Sequence, residues 1–262
     1  MIDTNVYLSR WPFRRLPCDD TPALADKLKK AGVKQAWCGS FDGVLHKDIA
    51  AVNARLTEEC KTHGGGEKPL LVPFGSINPK LPDWKEDLRR CAEVHKMPGI
   101  RLHPNYHGYK LDDPDFAALL STAAAKKLLV QLVIRMEDPR TQHPLLQVPD
   151  VDAVPLAALM KQHPGIRLVI LSGLMPLRPD LVDQLTAAGV SVDIATLEGI
   201  AGLARLLKSV PLERILFGSY FPFFAWEAAK LKLQESALAR FQVEAITEKN
   251  AASLLSENSP EK

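Results

Sequence analysis

Eight short apolar segments, each followed by a helical pattern or a gap of helical length, constrain the fold of this chain more than any other feature. Short apolar runs bounded by turn signals are typical of strands that are buried on both faces. Strands that alternate with helices favour a parallel sheet, because each parallel connection must cross back over the sheet. The predicted strands are Ile2–Leu8, Val33–Ser40, Leu70–Ile77, Gly99–His103, Leu128–Arg135, Ile166–Ser172, Val190–Ile194 and Arg214–Ser219.

Eight such units predict an α/β fold of the TIM-barrel type, a closed (β/α)8 barrel of parallel strands. The barrel would form a single domain over residues 1–255, followed by a polar tail at 256–262 that we expect to be disordered. An open, doubly wound sheet is the alternative. We favour the barrel because no glycine-rich phosphate-binding loop follows the first strand.

Charge and composition argue against two classes of partner. The chain has 33 Lys and Arg against 31 Asp and Glu, with no basic run interleaved with aromatic residues, so nucleic acid is not predicted. No apolar run approaches the roughly 20 residues of a membrane helix. The first residues lack the basic and apolar regions of a signal peptide. We therefore expect a cytoplasmic protein with reduced cysteines, no membrane contact, and a composition compatible with a homo-oligomer.

The fourth predicted strand ends in a concentration of chemically active side chains. Arg101 and His103 alternate with apolar residues, and Pro104 ends the strand because proline has no N–H to donate to a neighbour. The loop that follows contains Asn105, Tyr106 and His107. Groups able to donate, accept and titrate predict the rim of a functional site. The alternative is a polar loop whose histidines only satisfy backbone groups.

The carboxyl ends of the other strands add further candidates, because these ends carry the site in a barrel of this kind. The polar residues predicted there are Asp3, Asn5, Arg101, His103, Arg135, Ser172, Asp193, Ser219 and Tyr220. The loop after the fifth strand adds Glu137, Asp138, Arg140 and His143. Together with Arg14, the arginines would form a positive mouth suited to a carboxylate or phosphate. The alternative for the charged loop is a set of weak surface ion pairs.

Three patches match the patterns of one family. Residues 1–7 read Met-Ile-Asp-Thr-Asn-Val-Tyr where that family has Ile-Asp-x-His-x-His. Residues 214–222 read Arg-Ile-Leu-Phe-Gly-Ser-Tyr-Phe-Pro where it has Arg-Ile-Leu-Phe-Gly-Ser-Asp-x-Pro. Residues 249–255 are similar to its closing Asn-Ala-x-x-Leu helix. On these patches the chain resembles the amidohydrolase superfamily, in its decarboxylase and lactonase-like branch.

The resemblance implies a divalent metal, and the chain departs from the family at the ligands. The family holds the metal with a histidine pair on strand one, histidines ending strands five and six, and an aspartate ending strand eight. The corresponding positions are interpreted as Asp3 and Asn5, Val133, Ser172 and Tyr220. A zinc site normally needs three ligands from His, Cys or carboxylate. We therefore expect no metal cofactor and no metal-activated hydroxide.

Three functions remain consistent with these residues. The first is a metal-independent hydrolase of a small carboxylated substrate, such as a lactone, in which general acid–base groups activate water. Its catalytic candidates are Asp3, His103 and Tyr220, and its substrate-binding candidates are Asn5, Arg14, Arg101, Asn105, Tyr106, His107, Arg135, Arg140, His143 and Ser172. The second is a hydrolase or decarboxylase with a displaced metal site. Its ligands would be His103, His107 and His143 with Glu137 or Asp138.

The third is a barrel that has lost catalysis and binds a small acidic ligand or a partner. The density of titratable groups at the predicted mouth favours the first function.

Overall fold

Eight parallel strands pair in chain order in the computed structural model, which describes residues 1–163 and 165–256. The strands are β1 (Ile2–Leu8), β2 (Gln35–Ser40), β3 (Leu71–Ser76), β4 (Gly99–Leu102), β5 (Leu129–Val133), β6 (Leu168–Leu171), β7 (Ser191–Asp193) and β8 (Ile215–Leu216). The first and last strands meet, because Thr4 N donates to Phe217 O at 2.9 Å and Tyr220 N donates to Asn5 O at 2.9 Å. The predicted barrel is confirmed, and this contact excludes the open sheet.

Helices fill the connections between the strands. They are α1 (Thr21–Lys30), α2 (Asp42–Leu45), α3 (Ile49–Gly64), α4 (Trp84–Arg89), α5 (Pro104–His107), α6 (Pro114–Ala125), α7 (Leu156–Gln162), α8 (Pro179–Ala187), α9 (Gly202–Leu206), α10 (Trp226–Gln234), α11 (Arg240–Glu244) and α12 (Asn250–Ser256). Two π-helical segments, Arg90–Val94 and Ala245–Lys249, continue α4 and α11. Within the described ranges no helix is both long and apolar enough to span a bilayer.

Apolar side chains pack in two layers, because successive residues of a strand point to opposite faces. One layer fills the barrel, where the Trp37 and Phe74 rings stack with centroids 5.1 Å apart. The other lies between strands and helices and includes Leu28, Phe116 and Ile170, all fully buried.

Every strand after the first is shorter than predicted, and two predicted segments differ most from the structure. The loop expected after Pro104 is instead the short helix α5, because proline fits the first turn of a helix and Gly108, at φ +72°, ends it. The eighth strand is shorter than predicted and covers only Ile215–Leu216. Of the predicted tail at 256–262, Ser256 ends α12 and the remainder lies outside the described residues.

Candidate functional site

Arg101 lies inside the barrel, and its guanidinium group is hydrogen-bonded to oxygen atoms of the protein. Its guanidinium donates to the carbonyl oxygens of Val6 at 2.7 Å and Trp37 at 2.9 Å, and its Nε donates to Gln131 Oε1 at 2.8 Å. A fourth bond reaches Thr4 O at 3.3 Å, and the guanidinium carbon lies 4.5 Å from the centroid of the Tyr7 ring.

These contacts correct the expectation that Arg101 lies at the mouth. The side chain is fully buried and lines neither of the two cavities described below. Two of its acceptors, the carbonyls of Thr4 and Val6, lie where β1 bulges between Asp3 and Val6 and shifts its register against β2. Four of the five N–H groups of Arg101 are thus used by the protein, and the residue stabilises the irregular first strand.

Asn5 in the middle of β1, Ser172 just beyond β6 and Asp193 at the end of β7 form a closed hydrogen-bonded group. Asn5 Nδ2 donates to Asp193 Oδ2 at 2.7 Å and to Ser172 Oγ at 3.2 Å. The backbone N–H of Ser172 donates to Asp193 Oδ1 at 2.9 Å, which holds Ser172 in the left-handed region at φ +53°. Burial raises the pKa of Asp193 to about 6 against these hydrogen bonds. Ser172 and the Nδ2 atom of Asn5 are therefore engaged by protein groups, whereas the buried Oδ1 atom of Asn5 has no hydrogen-bond partner among the described residues.

Asp3 is buried between β1, β8 and α10. Its carboxylate accepts from Ser219 N at 3.0 Å, Asn5 N at 3.2 Å and Trp226 Nε1 at 3.1 Å. Burial raises its pKa to about 6, and these three donors oppose that shift. Asp3 lines no cavity among the described residues, which corrects its predicted placement at the mouth beside a substrate.

His103 pairs with Tyr7 beneath the mouth of the barrel. The Tyr7 hydroxyl lies 3.0 Å from His103 Nε2, and the Nδ1 atom of His103 is buried without a hydrogen-bond partner. Burial, helped by the positive charges nearby, holds the pKa of His103 well below its ordinary value, so its ring is neutral. The small cavity beside it has a volume of about 10 Å³, the size of a single water molecule.

Aromatic rings cover this pair. Tyr7 stacks on Phe41 at 4.8 Å, and Trp11 meets the edges of Phe41 at 5.4 Å and Phe223 at 5.2 Å. Phe223 in turn stacks on Tyr220 at 5.0 Å. The Tyr220 hydroxyl donates to the carbonyl of Met136, which joins the end of β8 to the segment after β5. The rings therefore close the centre of the mouth to a substrate.

A cleft of about 390 Å³ lies outside this aromatic cover. Its lining residues are Arg14, Arg135, Met136, Glu137, Asp138, Arg140, Thr141, Met175, Ala195, Thr196, Leu197, Glu198, Tyr220, Phe223, Phe224 and Lys232. The lining combines aromatic and aliphatic side chains with charged ones, and the guanidinium carbon of Arg14 lies 5.2 Å from the centroid of the Phe223 ring. The volume is within the range of small-molecule sites. This is the candidate functional site.

The predicted positive mouth is largely neutralised by ion pairs. Arg14 contacts Glu137, Arg135 Nε donates to Asp150 Oδ1 at 2.6 Å, and Arg140 Nε donates to Asp138 Oδ1 at 3.0 Å. The Arg140 side chain is 88% exposed, so its pair is worth little. Three of the four predicted arginines reach the cleft, and each is paired with a carboxylate.

The remaining binding candidates lie away from the cleft. His107 Nε2 donates to the carbonyl oxygen of Gly43 at 2.9 Å. His143 has an exposed side chain, and its ring stacks on Phe13 with centroids 5.6 Å apart. Asn105 donates to the carbonyl of Pro149, and Tyr106 packs on Trp11. These contacts match the alternative interpretation of the polar segment, in which its side chains satisfy backbone groups and pack. His107 nevertheless lies beside His103, with ring centroids 5.9 Å apart, and the Nδ1 atoms of both rings are buried without a hydrogen-bond partner among the described residues. The expectation that His143 joins these two histidines at one site is corrected, because its exposed ring stacks on Phe13 instead.

A barrel with its polar side chains and its cleft at the carboxyl ends of the strands defines an enzyme-type architecture, although fold alone does not fix the reaction. The sequence profile of the amidohydrolase family matches residues 12–258. The chain therefore belongs to the amidohydrolase family. No curated protein sequence matches it significantly.

Solved structures share the whole fold at low sequence identity. 5-Carboxyvanillate decarboxylase from Sphingomonas paucimobilis superimposes with a TM-score of 0.76 at 12% identity, covering 98% of both chains. 2,6-Dihydroxybenzoate decarboxylase from Rhizobium superimposes with a TM-score of 0.72 at 14% identity, and the alignment covers 98% of this chain and 99% of that one. Dihydroxybenzoic acid decarboxylase from Polaromonas superimposes with a TM-score of 0.73 at 13% identity, and the alignment covers 99% of this chain and 97% of that one. That structure was solved with manganese and 2-nitroresorcinol. At these identities the likeness establishes the fold alone.

The family's metal positions need one correction. Because Ile2 and Asp3 match the Ile-Asp of the pattern Ile-Asp-x-His-x-His, the two histidines correspond to Asn5 and Tyr7, and not to Asp3 and Asn5. The structure agrees, since Tyr7 points inward beside His103 and Asp3 points towards Trp226.

The residues at these positions do not fit a divalent metal. Asn5 donates through Nδ2 and leaves only its Oδ1 atom without a partner, Val133 has no ligating atom, and the hydroxyl of Tyr220 donates to a carbonyl. One amide oxygen does not supply the three ligands that a zinc site normally needs. In the described ranges no three His, Cys, Asp or Glu side chains are grouped to hold an ion, which gives the displaced-site alternative no support.

Sequence reasoning missed two residues of this region. Tyr7 was detectable, because it continues the alternation Asp3, Asn5, Tyr7 along β1. Lys232 was not, because it lies on α10 with no local signal that distinguishes it from the neighbouring lysines.

Proposed function

We propose that this amidohydrolase-family barrel binds a small carboxylated ligand with a flat apolar body in the cleft, and that it does so without the metal used by the family. The observation that supports the proposal is the Asn5–Asp193 hydrogen bond of 2.7 Å, which engages the side-chain amide at a position where the family pattern has a histidine. The aromatic rings then leave the cleft as the space available to a ligand.

The lining of the cleft supports this ligand class. Tyr220 and Phe223 stack and present an apolar wall, and Leu197 and Met175 extend it. The basic groups of the lining would attract an anion. An aromatic carboxylate meets both requirements, and the decarboxylases with the same fold carry aromatic carboxylates in their names.

Calorimetric titration tests the proposal. Purified protein treated with EDTA should bind benzoate more tightly than benzamide, which has the same shape without the charge. Equal affinity for the two, no binding of benzoate at millimolar concentration, or binding that appears only after manganese is added would each contradict it.

Metal-independent hydrolysis of a lactone or ester is the second candidate. One observation favours it: Glu137, only 4% exposed, lines both the cleft and the single-water cavity next to His103. A carboxylate at that boundary could accept a proton from water, the role first assigned to Asp3 or His103. Tyr220 is the one predicted catalytic residue that reaches the cleft.

A panel of aryl esters, lactones and hydroxybenzoates separates the reactions. Hydrolysis that survives EDTA and falls by about 10²–10⁴-fold in Glu137→Gln, with the neighbouring Asp138→Asn near the parent rate, would support the second candidate. Release of carbon dioxide from hydroxybenzoates would indicate decarboxylation instead. No turnover of any compound would leave binding as the function.

A further inference from the structure

Lys232 differs from every other cation of the cleft. Arg14, Arg135 and Arg140 each contact a carboxylate. In the part of the chain that the structure describes, no carboxylate lies within 4.0 Å of the Lys232 amine. Lys232 is half-buried, and a cation withdrawn from water without a counter-ion is costly.

The amine is held in place by backbone groups. Lys232 reaches from α10 to the end of β7, where it donates to the carbonyl of Ile194 at 3.0 Å and to that of Ala195. An ammonium group has three protons to donate, so two bonds leave one. Ala195 and Lys232 both line the cleft.

We propose that Lys232 is the residue that binds the carboxylate of the ligand, with its third N–H directed to an oxygen of that group. The inference rests on the proposed function, since it names the binding partner within the same cleft. Carbonyl oxygens orient the ammonium while leaving its charge uncompensated, whereas the arginines are already neutralised by their partners. Burial lowers the pKa of Lys232, and Asp193 and Glu198 oppose this from a distance. An incoming carboxylate would supply the missing counter-charge.

The aromatic wall fixes the orientation of the ligand. With its carboxylate on Lys232, a flat ligand would lie against Tyr220 and Phe223, which stack at 5.0 Å and line the same cleft. The geometry is therefore selective for a carboxylate attached to a planar apolar group over acetate.

Titration of two variants with benzoate tests the assignment. Lys232→Met keeps the length of the stem and removes the charge, and we expect about 10- to 100-fold weaker benzoate binding, the loss typical of a charge-assisted hydrogen bond. Lys230→Met is the matched control: it is an exposed lysine on the same helix and lines no cavity in the described residues. Lys230→Met should bind benzoate with the affinity of the parent protein.

Each outcome has one meaning. Parental benzoate affinity in folded Lys232→Met, with parent binding intact, overturns the role of Lys232 alone. Absence of benzoate binding by the parent overturns the proposed function and this inference together. If Lys232→Met does not fold, Lys232→Gln, which can still donate to the two carbonyls, replaces it. Gln at that position should weaken benzoate binding and leave benzamide binding unchanged, and equal losses for both probes would contradict the charge assignment.

Discussion

Asn5 and Asp193 are joined by a hydrogen bond of 2.7 Å between β1 and β7, two strands that are not neighbours in the sheet. The contact passes beside Gly218, which lies just beyond the end of β8. It therefore ties together both sides of the junction where the barrel closes, in the region where other members of the family would hold a metal.

Gly218 makes that contact possible. A Cβ at this position would lie 2.7 Å from Asp193 Oδ2 and 3.1 Å from Asn5 Cβ. We expect Gly218→Ala to lower the free energy of unfolding by roughly 1–3 kcal/mol, the usual cost of overpacking. Urea denaturation of the parent and the variant measures this loss in the free energy of unfolding. Gly202→Ala is the control, because its nearest atoms belong to the flexible Leu197 side chain, and an equal loss in both variants would contradict the explanation.

Arg101→Met should destabilise the protein without reporting on ligand binding. It leaves the carbonyls of Val6 and Trp37 buried and without their donor, and each unsatisfied group costs about 1–3 kcal/mol. We expect a total loss of roughly 3–5 kcal/mol in the free energy of unfolding. Arg140→Met, at a side chain that is 88% exposed, should stay within about 0.5 kcal/mol of the parent. A stable Arg101→Met protein with weakened benzoate binding would contradict this and support the predicted role of Arg101 in substrate binding.

Asp193 should make stability depend on pH between about 4 and 6. In the folded protein burial raises the pKa of Asp193 from 3.8 to about 6. Below pH 4 the carboxyl is protonated in both states and its contribution is fully present. As the pH rises through 6, ionisation of Asp193 is more costly in the folded state than in the unfolded state. The free energy of unfolding therefore falls by roughly 3 kcal/mol.

Asp193→Asn cannot ionise, so it should gain stability relative to the parent as the pH rises from 4 to 7. Denaturation curves across this range measure the difference. Asp3, with a pKa also raised to about 6 by burial, remains in both proteins and cancels. Asp112→Asn, a change at an exposed side chain, is the control, and its free energy of unfolding should change with pH as that of the parent does. Parallel curves for Asp193→Asn as well would contradict the assignment.

The purified protein should hold far less than one equivalent of zinc or manganese. The reason is the chemistry of the Asn5, Tyr7, Val133, Ser172 and Tyr220 positions, which lack three ligands of the usual types. Elemental analysis after gel filtration provides the measurement. About one tightly held metal per chain, with loss of fold or activity on chelation, would contradict this expectation.

The sequence by itself determined the barrel. Strand periodicity and helical spacing are local properties, and β1 was predicted at its observed bounds, Ile2–Leu8. The same patterns placed Asp3, Asn5, Ser172 and Tyr220 at the ends of strands. Family patterns in residues 1–7 and 214–222 located the region where the metal ligands are missing.

Only the tertiary structure decided which of these groups are available to a ligand. Arg101 and Arg135 were both predicted on strands, yet Arg101 on β4 is bound to carbonyls of β1 and β2, and Arg135 lies just beyond β5 and is bound to Asp150, 15 residues away. Lys232 faces the cleft because α10 packs beside β7, a contact between segments that are 38 residues apart. Such pairings depend on distances between remote parts of the chain, and no local pattern of residues specifies those distances.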